Sequence, residues 1–438
     1  MTSARNRELG ALVPVALLLT AGFAAVFAQE DARLGNLSLI YGAYFLALCL
    51  ATHIFLRIRL PDADPYLFPL VALLTAFGLV MVYRIDADLA RDQANWFVFG
   101  LLLFALTIQF LRDYDVLERY RYTIAAVGLL LLLAPRLPGI GQQVNGAYLG
   151  VKVGPLAFQP AEFSKICIVV FLASYLREHR EVLIVGARRV LGVTLPPLKH
   201  FGPLLVVWGA SMFMLVFIRD LGSSLMFFAA FLALLYVATG RFSFVVIGMA
   251  MFLLGAWFFA STVPHVHERV EIWLHPYNEP ENAGYQILQS IFAQADGGLF
   301  GKGFGQSLIT VPGTDAALLP AAQTDTIYSL IVNEVGLFGA VGVVLVYTMI
   351  AARGFKIALL ASDGFSKLLA TGLTAVFAIQ AFVIIGGVTR VIPLTGVTLP
   401  FVSYGGSSIV ANFVLLALLL LISDRARRQA RGIEELRP

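Results

Sequence analysis

The chain has 438 residues, of which 59% are hydrophobic and only 13% charged, with a mean hydropathy of +0.83 and a formal net charge of +4. A soluble globular domain carries about 25% charged residues, so this composition excludes one and points to an integral membrane protein. The excess positive charge is no sign of nucleic acid, because it follows the membrane topology described below.

The first apolar run spans residues 10–28, behind Arg5 and Arg7. At 19 residues it exceeds the roughly 7–15 of a signal-peptide core and reads as a retained transmembrane helix. A spanning helix needs about 20 apolar residues. Further candidate spans follow at 36–56, 66–83, 95–111, 122–135, 159–176, 201–218, 221–239, 242–262, 325–350, 368–389 and 404–422. These twelve long apolar runs predict an all-α polytopic bundle, not a barrel of ten-residue alternating strands. Cys49 and Cys167 fall within apolar runs and read as packing residues, not a disulfide or a metal pair.

An even number of spans puts both termini on one side. With the termini in the cytoplasm, the inner segments carry 21 of the 31 Lys and Arg residues and the outer loops 8. That is the asymmetry of the positive-inside rule. The chain divides into two N-terminal helices over 1–60, a core over 61–424 and a basic cytoplasmic tail over 425–438. One long outer loop covers 263–324. Within it, GYQILQSIFAQADGGL sets Ile287, Leu288, Ile291, Phe292 and Ala295 on one face, with Gln286, Gln289, Ser290 and Gln294 largely on the other. This pattern predicts a helix lying in the membrane interface.

Charged groups inside a bilayer cost about 2.5–3.5 kcal/mol each on insertion scales, so they need partners, water or a function. Here they gather at the outer helix ends. Glu162 and Lys165 share a face in FQPAEFSKI. Arg219 and Asp220 lie in IRDLGSS, Asp325 opens the tenth span, Arg390 follows the eleventh, and SYGGSS opens the twelfth. An outward-facing polar cavity accounts for the set; structural ion pairs account for single members of it. Glu334 lies nine residues after Asp325, about 13 Å further along a helix, and reads as a buried, paired carboxylate near Asn333.

Taken in order, FQPAEFSKI, RDLGSS, GYQILQS with GGLFGKGFG, QTD, NEVGLFG and IPLTGVTLPFVSYGGSS resemble the SEDS family (shape, elongation, division and sporulation) from about residue 66 to 422. The resemblance is to the elongation type, with two added N-terminal helices. It implies a ten-helix core that polymerises lipid II into glycan strands at the outer face of the cytoplasmic membrane. A class B penicillin-binding protein would be its transpeptidase partner, and polyprenyl pyrophosphate its leaving product. It further implies that the catalytic acid falls on Asp325. The family's Q-P-S-E-x-x-K motif falls on Gln159, Pro160, Glu162 and Lys165, and its P-D-L-G motif on Asp220, Leu221 and Gly222. The chain departs from the pattern at Gln323, where the family has His. It also departs at Leu149 and Gly150, in place of Arg and Trp, and at Arg219, in place of Pro.

Such a reaction needs a base on the attacking sugar hydroxyl and cations for the pyrophosphate. Asp325 suits the first role. Candidates for substrate binding are Lys165, Arg219, Arg269 and Lys302, together with Glu162, Asp220, Thr324, Ser403, Gly405 and Gly406. A divalent cation (Mg or Mn) bridging phosphate and carboxylate is a further candidate; no nucleotide and no protein-held metal are expected. GGLFGKG is not a nucleotide-binding loop, because Gly303 follows Lys302 where Ser or Thr is required. His265 and His267 in HVHER have no completing ligands for zinc. SYGGSS reads as a close-packed helix start, with no histidine placed to activate Ser403 or Ser407. Two other functions compete: a lipid II flippase and a non-catalytic scaffold for the penicillin-binding protein.

Overall fold

The computed structural model describes residues 4–29, 37–144, 147–154, 156–185, 188–190, 193–195, 209, 220–310 and 317–432. In chain order its helices are α1 (Ala4–Gln29), α2 (Leu37–Arg59), α3 (Leu67–Ile85), α4 (Ala87–Phe110), α5 (Asp115–Arg119), α6 (Arg121–Leu133) and α7 (Pro160–Val185). They continue with α8 (Leu221–Thr239), α9 (Phe242–Thr262), α10 (Pro264–Leu274), α11 (Tyr285–Gly297), α12 (Ile327–Leu360), α13 (Gly364–Val388) and α14 (Gly406–Ala430). Among the described residues nine helices are long and apolar enough to cross a membrane, namely α1–α4, α8, α9 and α12–α14. The chain is therefore a polytopic all-α membrane protein. The fifth and sixth predicted spans are the helices α6 and α7, while the seventh, 201–218, lies outside the described residues, as does Arg219.

The predicted elements did not include a small antiparallel sheet between α6 and α7. It runs β1 (Gly141–Val144), β2 (Ala147–Val153), β3 (Leu156–Phe158) in that order. Val153 pairs with Leu156, and Gly154 after Val153 takes φ +63°, a geometry that glycine adopts without steric cost. The departure Leu149–Gly150 lies in β2, where Gly150 pairs with Gln142.

By its internal packing the chain divides into two units, one of residues 1–110, 271–353 and 380–438, the other of 111–270 and 354–379. In the first unit α14 lies along α4. Gly100 leaves room for the fully buried Phe413, whose ring packs against Phe97 at 5.6 Å and Phe401 at 5.1 Å between centroids. Burying each such ring contributes about 1.5–3 kcal/mol. α1 packs on α3 through Gly22 and Val80 and through Phe23 and Tyr83. Where α3 begins and α14 ends, an ion network joins Asp64 to Arg427 and Arg353, Asp62 to Arg431, and Asp424 to Arg428. Arg5 of α1 extends it to Ala63 O and Glu8, and Glu8 in turn meets His53 of α2 at 2.8 Å. Buried charges at this end of the helices are thus mutually paired, as a low dielectric demands.

In the second unit α7 is sandwiched between α6 and α8. The Ser164 hydroxyl donates to Gly128 O at 3.0 Å, and Cys167 fills the space that the same glycine leaves. Cys49 is buried and both cysteines are free thiols, consistent with packing roles. α9 is apolar on all sides and almost entirely exposed, which suits a helix facing lipid.

Candidate active site

Asp325 sits in an irregular turn just before α12. Ala321 takes φ +54° there and lets its carbonyl receive the amides of Thr324 at 3.0 Å and Thr326 at 3.2 Å. Thr326 Oγ1 donates to Pro320 O at 2.7 Å. The QTD segment is then tied to SYGGSS. Ser403 Oγ donates to Thr324 O at 2.8 Å and accepts from Leu399 N at 2.9 Å, while Tyr404 N donates to Gln323 O at 2.8 Å. From α4, the fully buried Gln93 completes the lattice: its Nε2 donates to Ser403 O at 3.1 Å and its Oε1 accepts from Gly405 N at 3.2 Å.

The half-buried Asp325 carboxylate faces the 393–400 segment. A Cβ at Gly396 would stand 3.9 Å from Asp325 Oδ2, and Gly396 itself takes φ +71°. Phe401 also has positive φ, +65°. Strained backbone of this kind persists only where its surroundings over-determine it, and it clusters at functional sites. The arrangement presents one carboxylate, partly open, on a turn whose backbone is fixed from three directions.

Several candidate residues acquire specific places. Ser403 is 2% exposed and its hydroxyl is used twice by protein atoms, so it holds the turn. Thr324 contributes its carbonyl to that contact, and its Oγ1 donates to Ala321 O of its own turn at 3.4 Å. Gly406 is required by Trp96, whose ring occupies the space of a Cβ, and Gly405 lies against Thr398. We predict that Ser403→Ala, which strands Leu399 N and Thr324 O, costs about 1–3 kcal/mol and lowers the melting temperature in detergent without dissociating the fold.

Lys302 pairs with Asp296 at 2.7 Å. Two glycines before it serve close packing. Gly297 and Gly301 pack their backbones directly on Val332, Asn333 and Glu334, where any Cβ would overlap main-chain atoms. α12 breaks at Gly336, with φ +69° and ψ −173°. In an unbroken helix the amides of residues 337 and 338 would bond the carbonyls of 333 and 334. Here Leu337 N and Phe338 N donate to Gly298 O and Leu299 O instead, at 3.0 and 3.2 Å. Asn333 O and Glu334 O receive Lys302 N and Gly303 N, both at 2.9 Å. The loop thereby supplies partners for these four main-chain groups.

α11 is a helix as predicted, with Ile287 and Leu288 buried, but its packed face is rotated from the expected one. Ser290 is 1% exposed and bonds Ser329 at 2.5 Å, Gln294 reaches Ser329 at 3.0 Å and Val388 O at 2.8 Å, and Phe292 is exposed. α11 packs on protein partners that can take hydrogen bonds, so its polar side faces inward. Glu334 is fully buried, as expected; its charged partner is Arg84 of α3, Nε to Oε1 3.4 Å. Arg390 caps α10, donating to Trp273 O from Nε and Nη2 at 3.2 and 3.0 Å.

A second group lies in the other unit and is described by itself. Glu162 and Lys165 form an ion pair of 2.5 Å, 3% and 1% exposed. Asp220 caps α8, accepting from Ser223 N at 2.9 Å. Burial pushes the Asp220 carboxyl above the usual carboxylate range; the Ser223 bonds and the charge of Arg269 act the other way, and Glu162 adds to the rise. With a raised folded-state value, Asp220 leaves stability whole below about pH 4 and subtracts from it as pH rises through that value. Asn also caps helices. Asp220→Asn should therefore melt at or above the wild-type temperature, with an advantage that grows as pH rises above about 4 and is read by thermal unfolding in detergent.

Among the described residues no three His, Cys, Asp or Glu side chains gather to hold a metal ion. His267 turns its ring to Ala260 O at 3.0 Å. Sequence reading missed Gln93 and Arg84. The signal for the first was an amide at the start of an apolar run; for the second, an arginine at the end of another.

The sequence profile of the FtsW/RodA/SpoVE family, described as a cell cycle protein, matches residues 65–428. The chain belongs to this family. It is a RodA-like member, 41% identical over 438 aligned positions to the peptidoglycan glycosyltransferase RodA of Mycobacterium tuberculosis, covering 98% of this chain and 92% of that one. The stage V sporulation protein E of Bacillus subtilis is 32% identical, covering 83% and 98%. Among solved structures, a chain of a peptidoglycan synthase complex that coordinates polymerisation and crosslinking superposes with a TM-score of 0.66. It is 27% identical and covers 84% of this chain and 99% of its own. The rod-shape-determining RodA of Thermus thermophilus superposes with a TM-score of 0.59 at 25% identity, covering 83% and 97%. The two N-terminal helices precede the profile match, but alignment with the mycobacterial relative covers nearly the whole chain.

Proposed function

We propose that this RodA-like chain is a peptidoglycan glycosyltransferase that polymerises lipid II with Asp325 as general base. The observation that carries the assignment of the base is the Asp325 carboxylate itself, partly open at a membrane-helix end on a turn braced by Ser403, Tyr404 and Gln93. Asp325 accepts the proton of the acceptor sugar hydroxyl as that oxygen bonds to the donor's anomeric carbon. The bond from that carbon to the lipid pyrophosphate breaks, and the pyrophosphate leaves with the electron pair. Attack opposite the leaving group inverts the centre, so no covalent enzyme intermediate is required. Because a pyrophosphate leaves without a proton, no second acid is needed, unlike glycoside hydrolysis.

The negative charge on the leaving group calls for cations. Lys165 and Lys302 already carry the carboxylates Glu162 and Asp296, so either would serve by exchanging one anion for another. A bound Mg or Mn ion would add charge neutralisation at the diphosphate. The partner in this reading is a class B penicillin-binding protein, supported by the related chain of the synthase complex. The surplus of Lys and Arg on the inner segments favours both termini in the cytoplasm, which puts Asp325 at the outer face, where the donor's headgroup lies.

The test is polymerisation of purified lipid II by the detergent-solubilised chain beside a transpeptidase-inactive partner, with glycan strands resolved by gel electrophoresis. Strands formed by this chain support the reading. None, from a monodisperse sample with its partner present, would favour the flippase or the scaffold.

A further inference from the structure

Arg84 belongs to no motif of the sequence and takes no part in the mechanism above. It ends α3, a helix distant in sequence from the catalytic turn, yet it reaches three groups of the Asp325 half of this unit. Its Nη2 donates to Gly305 O and Ser307 O, both at 2.8 Å, and its Nε lies 3.4 Å from the fully buried Glu334 Oε1. The loop it grips is the one that replaces the missing helical bonds at Gly336. Ser307 Oγ further donates to Asn333 Oδ1 at 2.5 Å, and Asn333 Nδ2 donates to Ala293 O at 2.6 Å. The grip is itself braced, because Phe23 and Tyr41 of the two N-terminal helices pack on Tyr83 at 5.3 and 6.3 Å.

We infer that Arg84 is a positioning residue, clamping loop 298–307 onto the broken end of the short helix 327–335 and thereby fixing Asp325 at that helix's other end. The reasoning is mechanical. A segment of nine residues is too short to hold a helix unaided, so its shape depends on what meets its two ends. One end is held by Ser403 and Tyr404 through the 323–324 carbonyls. The other meets the loop, whose amides cap Asn333 O and Glu334 O. Arg84 pairs with the buried Glu334 at that end and fixes the loop's far limb. A general base misplaced by about 1 Å can lose about a hundredfold in rate.

This inference rests on the glycosyltransferase reading of Asp325, so its test has an arm that does not. In Arg84→Ala, amide hydrogen exchange over 298–307 and 325–335 should rise at least tenfold, with α8 unchanged. In the polymerisation assay kcat should fall at least tenfold while KM stays within twofold. Arg84→Lys, which keeps the charge but not the fork, should fall between, and it stands in if Arg84→Ala aggregates. The double variant Arg84→Ala/Glu334→Gln should be no worse than Arg84→Ala alone, because the stranded carboxylate is gone. Unchanged exchange in 298–307 would overturn the clamp. Raised exchange with unchanged kcat would overturn its link to Asp325. A wild type that makes no polymer would sink the glycosyltransferase reading, and the exchange arm would still decide the clamp.

Discussion

Asp325→Asn should abolish glycan polymerisation while leaving the protein folded. The substitution keeps the size of the side chain and removes its ability to accept a proton. General-base catalysis is worth about 10²- to 10⁴-fold, so strand synthesis should fall by at least two orders of magnitude in kcat. The turn keeps the contacts named above, which come from the main chain of Gln323 and Thr324, from Thr326 and from Ser403. The check is strand length and rate from purified lipid II, with gel filtration and melting temperature run on the same sample. Equal polymer from mutant and wild type would move the base elsewhere, with Asp220 and Glu162 next in line. Loss of polymer together with a melting temperature lowered by many degrees would show instead that the carboxylate holds the turn.

Gly336→Ala should be among the most destabilising single-methyl changes in the chain. Its φ of +69° with ψ −173° is a region that only glycine occupies readily, worth about 1–3 kcal/mol for any other residue. The new Cβ would also overlap Gly301 N and Leu299 O, and overpacking of this kind costs about 1–3 kcal/mol more. The sum, roughly 2–6 kcal/mol, is comparable to a large part of a domain's net stability. The expected result is a protein with loop 298–307 detached, sensitive to protease there, and with little polymerising activity. Gly342→Ala, in the same helix with open space around its Cβ position, is the control and should be neutral or slightly stabilising. A Gly336→Ala variant as stable and as protected as wild type would contradict the interlocked geometry of loop and helix.

Much of this protein follows from local pattern. Runs of about 20 apolar residues determine that the chain spans a membrane, since a bilayer leaves no other way to satisfy the backbone. Short motifs spaced along the helices determine the family and point to Asp325, because each motif is contiguous. What the sequence alone did not determine are the partners of its isolated polar residues. Arg84 meets Ser307 across 223 positions, and Gln93 meets Ser403 across 310; periodicity carries no information at that range. What the GGLFGKGFG segment serves becomes visible only at the break at Gly336, whose freed amides and carbonyls it bonds. α11 looks like an interfacial helix because periodicity reports which side chains are apolar, not what they face. Packed on Ser329 and the Val388 carbonyl, its Ser290 and Gln294 point inward. Composition and motif determined the class and the family and singled out Asp325 as the candidate acid. Only the tertiary structure decided how that acid is held, because a buried polar group is stabilised by whichever partner the fold brings within about 3 Å, however far away it lies in the chain.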